Sequence, residues 1–165
     1  MKEYIDNIKN KLGFRSYPKL AELLGVTKDT IMKLNQGAGS RKLQIAYTLF
    51  SLCLDEMSEV QKRKLIAEYH ALLYRRMYAE QPDNDELRGH IDNLMEMCGY
   101  ASYAELAKFL EATEDLLVKL SNGESWRRLR VIYVLLSLAF GRINTSKVQR
   151  VLKKYHSLLY KKSAI

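Results

Sequence analysis

A chain of 165 residues has room for one ordinary domain or two small ones, and its 27 Lys and Arg against 19 Asp and Glu leave a net charge of +8 and a pI near 9.4. That balance argues for a polyanionic partner of some kind without naming it. Two cysteines with no spacing pattern argue against a disulfide framework or a zinc site, and no apolar run approaches the ~18 residues of a membrane span.

Apolar residues recur at i, i+3 and i+4, and no stretch alternates strictly over a strand length, so the chain is expected to be all-α. The opening Met1-Lys2-Glu3-Tyr4 has no signal-peptide pattern, which suggests a reducing, cytoplasmic setting with no membrane partner. Helices are expected at 2–12, 17–24, 28–36, 41–54 and 58–78, punctuated by Gly13, Gly25 and Gly37-Ala38-Gly39-Ser40. The fourth should be buried on most sides, since Leu43, Ile45, Ala46, Leu49, Phe50, Leu52 and Cys53 cover much of its circumference. The fifth is amphipathic through Ile66, Tyr69, Leu73 and Met77, with Lys62, Arg63, Lys64, Arg75 and Arg76 at its flanks.

Residues 81–85, Gln-Pro-Asp-Asn-Asp, form a short polar linker, and beyond it the plan begins again. Positions 5–76 align with 91–162 without a gap at an offset of 86, and 25 of the 72 pairs are identical. The second set of helices is expected at 85–98, 103–111, 114–122, 127–140 and 145–162. Its fourth helix repeats the apolar pattern with Leu129, Val131, Ile132, Leu135, Leu136 and Leu138. A period this long exceeds the 20 to 50 residues of a solenoid repeat, so each copy is a small domain, at 1–80 and 85–165. Neither copy could bury more than a modest core alone, and the two are expected to pack on each other as an internal pseudo-dimer. Cys53 aligns with Ala139 and Cys98 with Leu12, which predicts two buried thiols. His70 and His156 recur within Tyr-His-x-Leu-Leu-Tyr; with no carboxylate or cysteine cluster beside them they read as packing or interface residues.

The most specific local pattern runs from Tyr17 to Leu34. Leu20, Leu24 and Leu34 are apolar where two short helices must touch, and Ala21 is small enough for a close crossing. Gly25 suits a positive φ at the corner, Val26 plugs it, and Thr27 can cap the following helix. Ile31 and Leu34 then hold that helix down, and Pro18 fits the first turn of its own.

These residues resemble the helix-turn-helix of phage and plasmid repressors, in which the second helix lies in the major groove of DNA. By position, the resemblance makes Thr27, Lys28, Asp29, Met32, Lys33 and Gln36 the outward, base-facing set. The lysines suit guanine or phosphate, Gln36 adenine, Asp29 cytosine, and Thr27 and Met32 thymine methyls. Arg41 and Lys42 follow as phosphate contacts. The second copy keeps the packing skeleton in Leu106, Ala107, Leu110, Ala112, Thr113, Leu117 and Leu120, but Glu111 replaces the corner glycine at a cost of about 1 kcal/mol if φ must be positive. Its outward set is Thr113, Glu114, Asp115, Val118, Lys119 and Asn122. Of these Thr113, Lys119 and Asn122 are the candidate contacts, while the two carboxylates would face phosphate unfavourably. The second reading helix is thus weak, differently specific, or structural. Arg127, Arg128 and Arg130, beside Trp126 at a helix start, form a candidate phosphate clamp; pairing with acids of the other half is the alternative.

No nucleotide-binding, hydrolase-elbow or metalloprotease pattern occurs, so no enzyme, cofactor, metal or small-molecule substrate is expected. The expected activity is sequence-specific binding of double-stranded DNA by a monomer with a dimer-like interior, with further self-association left open. The role would be that of a transcriptional regulator, or of an accessory factor at a plasmid transfer origin. The tandem, lysine-rich style is similar in general terms to the TraN-type accessory DNA-binding proteins of Gram-positive conjugative plasmids. The rival reading is a protein-interaction module or inhibitor that keeps a helix-turn-helix scaffold.

Overall fold

A computed structural model describes the backbone of residues 1–78, 84–122 and 127–163, with side chains for 1–72, 88–122 and 128–158. Among the described residues there are ten helices and no strands. They are α1 (Lys2–Lys11), α2 (Tyr17–Leu24), α3 (Lys28–Asn35), α4 (Arg41–Asp55), α5 (Glu59–Tyr78), α6 (Asn84–Met97), α7 (Tyr103–Phe109), α8 (Glu114–Ser121), α9 (Arg127–Arg142) and α10 (Thr145–Ser163). α6 opens at Asn84, one residue before the expected start at Asp85, so it takes in the end of the expected linker; the rest of the linker and Trp126 lie outside the described residues.

Several helix starts have a local cause. Thr27, Ser40, Ser102 and Thr113 each accept a hydrogen bond from the backbone N–H three residues on, satisfying a donor that the helix itself cannot. Ser58 and Gln61 form a reciprocal pair before α5: the Gln61 N–H donates to Ser58 Oγ at 3.2 Å, and the Ser58 N–H donates to Gln61 Oε1 at 2.9 Å.

The packing repeats between halves. α1 lies on α4 as α6 lies on α9, and α2 meets α3 as α7 meets α8. The central contact is α4 against α9, one from each half. Tyr47, Leu49 and Phe50 of α4 and Tyr133, Leu135, Leu136 and Phe140 of α9 are fully buried, and the buried side chains of both halves form a single cluster. At about 1.5–3 kcal/mol for each large apolar side chain removed from water, this shared layer dominates the favourable side of folding. The last helix of each half crosses over: α5 packs on α9, and α10 packs on α4. Polar pairs recur as well. Asn7 Nδ2 donates to Ser51 Oγ at 2.8 Å and Asn93 Nδ2 to Ser137 Oγ at 3.1 Å, while the Tyr17 and Tyr103 hydroxyls donate to Asp6 and Asp92.

Both cysteines are buried and unbonded, as their alignment with Ala and Leu predicts. Lys62, expected on a solvated flank, is instead buried, its stem against the chain and its ammonium on the exposed carboxylate of Glu59. His70 and His156 are exposed rather than packed, although the His156 ring centroid lies 5.7 Å from that of Phe109. Among the described residues no group of three or more His, Cys, Asp or Glu could hold a metal ion, and no helix is long and apolar enough to cross a membrane.

Candidate nucleic-acid interface

The corner between α2 and α3 takes its shape from Gly25. Its φ of 68° is left-handed, a region in which a Cβ is strained, and it lets the Val26 N–H donate to Ala21 O at 3.0 Å and the Gly25 N–H to Glu22 O at 3.3 Å. Those two bonds close α2 and turn the chain sharply into Thr27. The Thr27 hydroxyl oxygen then accepts from the Thr30 N–H at 3.2 Å and fixes the first turn of α3. Ile31 and Leu34 are fully buried, as are Leu20 and Leu24 beneath them, and Ala21 allows the crossing to be close.

With that face sealed, the opposite face of α3 is left to solvent. Thr27, Lys28, Asp29, Met32, Lys33 and Gln36 are all exposed. Met32 is 37% exposed, much as its counterpart Val118 is at 39%. Among the described residues neither Lys28 nor Lys33 has an ion-pair partner. The loop beyond α3 is braced by Gln44, whose Nε2 donates to Gly37 O at 3.4 Å and Ala38 O at 3.3 Å.

In the second half the same corner is built without glycine. Glu111 has φ 52°, the one non-glycine residue with positive φ among those described, and the bonds match: Ala112 N–H to Ala107 O at 2.8 Å, Glu111 N–H to Lys108 O at 3.2 Å. The expected strain is therefore present. Beside it, Arg41 donates through Nε to Glu111 Oε2 at 2.6 Å, which raises the arginine's pKa through that hydrogen bond and the adjacent charge. Arg41 was assigned to phosphate by position alone; its guanidinium is engaged by the other half. Lys42 is half-buried.

The α8 face is exposed at Thr113, Glu114, Asp115, Val118, Lys119 and Asn122, but it is occupied differently. Lys119 Nζ lies 3.1 Å from Asp115, and Asn122 Oδ1 accepts from Arg88 Nη2 at 2.9 Å. Of the expected clamp of three arginines, Arg128 is exposed and Arg130 is half-buried, while the Arg127 side chain lies outside the described residues. Arg130 aligns with Gln44 of the first half.

Sequence reading missed Arg88 and Gln44. Extending the alignment three residues toward the start would have paired Lys2 with Arg88, a basic residue in both copies. No comparable signal marks Gln44, whose carbonyl partners are fixed only by the path of the loop. Comparison with protein-family models, curated proteins and solved structures finds no match to this chain.

Proposed function

We propose that the chain is a double-stranded DNA-binding protein built from two helix-turn-helix units joined as an internal pseudo-dimer, with α3 entering the major groove. The observation that carries this reading is the pair Lys28 and Lys33. Both stand exposed and unpaired among the described residues, on the outward face of a short helix whose inward face is fully buried. A helix of eight residues fits the groove, and its threonine cap, two ammonium groups, exposed thioether and terminal amide offer the donors and apolar contacts that base edges require. The net charge of +8 supplies the sequence-independent attraction to phosphate.

The exchange of last helices supports the pseudo-dimer reading. A half separated from its neighbour would expose the surface that the other half's last helix covers, and would lose the central contact between α4 and α9. In a cell such a protein would act as a transcriptional regulator or as an accessory factor at a plasmid transfer origin.

Fluorescence anisotropy with labelled duplexes, titrated across salt, tests the reading. For a protein neutralising several phosphates, log K falls linearly with log salt at roughly −0.9 per phosphate contacted. A nearly flat salt response would remove the proposal and leave a protein-interaction scaffold in its place, whereas equal affinity for every duplex would remove base reading by α3.

A further inference from the structure

We infer that only the first half reads base sequence, and that the second half grips the same duplex through its backbone; this rests on the DNA-binding reading above. The two outward faces can be compared position by position. Thr27 and Thr113 are both caps, and Asp29 and Asp115 are both first-turn acids. The differences lie in what remains available to a base.

Lys28 is replaced by Glu114, a charge reversal at the first residue of the helix. The free N–H groups there form the positive end of the dipole, the place where a phosphate would dock, and Glu114 with Asp115 already complements it. With two lysines and one acid, the α3 face carries a positive balance; with one lysine and two acids, the α8 face carries a negative one. Lys33 and Lys119 are the same residue in different states. Lys119 is held by Asp115 at 3.1 Å, while Lys33 stands free of any ion pair among the described residues.

The terminal amides differ in the same direction. A side-chain amide recognises adenine by donating to N7 and accepting from N6, so it needs both ends. Asn122 has its oxygen engaged by Arg88, whereas Gln36 is exposed with no recorded partner for its side chain. Outside the α8 face the second half still carries exposed cations that can meet phosphate, Arg88, Lys108 and Arg128. Contacts of that kind position a protein on the duplex without selecting sequence.

Selection of duplexes from a random pool with the full-length chain, followed by affinity measurements on the winners, tests this. One contiguous block of about four to six specified base pairs is expected, flanked by protected but unspecified backbone. Lys33→Ala should lower affinity for the selected duplex by about tenfold or more and flatten preference inside the block. Lys119→Ala and Val118→Ala should change affinity less than about twofold and leave every base preference in place. Glu114→Lys should strengthen selected and scrambled duplexes alike. All four positions are exposed, and circular dichroism of each variant is the check that it folds.

A second specified block whose preferences shift with Val118→Ala or Lys119→Ala would overturn the inference and leave the DNA-binding reading intact. Recovery of no preferred duplex would overturn base reading by the first half, and a flat salt response with it would remove the DNA-binding reading as well.

Discussion

Glu56 and Arg142 occupy the same position in the two halves, 86 residues apart, yet carry opposite charges, and each faces its complement on the other half's last helix. Glu56 is approached by Lys154 at 3.7 Å and Arg150 at 3.6 Å, while Arg142 pairs with Glu68. Glu68 and Lys154 are themselves equivalent positions, so one contact occurs twice with its polarity reversed. Two second halves brought together would set Arg142 against both Lys154 and Arg150, whereas two first halves would set Glu56 against Glu68 with Lys64, the counterpart of Arg150, beside it. Unlike halves attract at this contact, and two second halves repel.

The pair Arg142 and Glu68 gives the cleaner measurement because, among the described residues, neither group has a second ion-pair partner. Arg142→Glu should destabilise the chain by about 1 kcal/mol, since the pair is partly shielded and the change places two carboxylates together. Glu68→Lys alone should do the same. The double exchange should recover most of the loss, so urea denaturation of the four species should yield a coupling of at least about 0.5 kcal/mol. Strict additivity would show that the contact contributes nothing to the pairing.

The same geometry makes the covalent connection between halves dispensable once the chain is folded. A protease site inserted in the linker at 81–83, cut after purification, should leave two fragments that elute together as one unlike pair. Their separation at micromolar concentration on size exclusion would mean that the α4–α9 layer and the exchanged helices hold less than the packing implies.

Much of this fold is written in the sequence because its signals are local. The helix limits follow from caps such as Thr27 and Ser40 and from glycines such as Gly13 and Gly25, and the apolar surround of α4 announces its burial. The repeat announces that two similar units exist. It does not say that α5 and α10 change partners, because Ile66 and Tyr69 look the same whichever half receives them. The outward set of α3 was legible because Leu20, Ile31 and Leu34 fix which face is sealed. The engagements of Arg41, Asn122 and Lys62 were not, since each depends on a group that only the folded chain brings near.

Glu111 and Gly25 permit a direct measurement of corner strain. Gly25→Ala should cost about 1–2 kcal/mol, because φ 68° is unfavourable for any Cβ. Glu111→Gly should stabilise by a few tenths to about 1 kcal/mol, as relief of the strain at φ 52° outweighs an ion pair exposed on both sides. In that background Arg41→Ala should have no further effect. A loss of stability in Glu111→Gly would assign the larger share to the ion pair.

Tyr47 and Tyr133, equivalent and fully buried, have hydroxyl oxygens with no hydrogen-bond partner among the described residues. An unsatisfied buried hydroxyl carries a desolvation penalty of roughly 1–3 kcal/mol, so its removal is favourable where the ring keeps its place. Tyr47→Phe and Tyr133→Phe should each leave the thermal midpoint unchanged or raise it. A fall of several degrees in either would mean that the hydroxyl is satisfied in solution.

Alkaline pH should unfold the chain by way of the same interior. Burial pushes the pKa of Tyr47 and Tyr133 well above the usual 10.0, that of Cys98 from 9.0 up to about 12, and that of Cys53 well above 9.0. For each group the folded chain holds its proton after the unfolded chain has released it. The stability so contributed is complete below the unfolded pKa and is lost as pH rises from there toward the folded value. Denaturant midpoints should therefore begin to fall above about pH 9 as the thiols of the unfolded chain ionise, and more steeply above about pH 10 when its tyrosines follow. Each group adds up to about 1.4 kcal/mol per pH unit. Cys98→Ala should flatten the whole decline from about pH 9 upward, and Tyr133→Phe only the part above about pH 10. If both variants kept the full wild-type slope from pH 9 to 11, deprotonation of the core could not be what opens it.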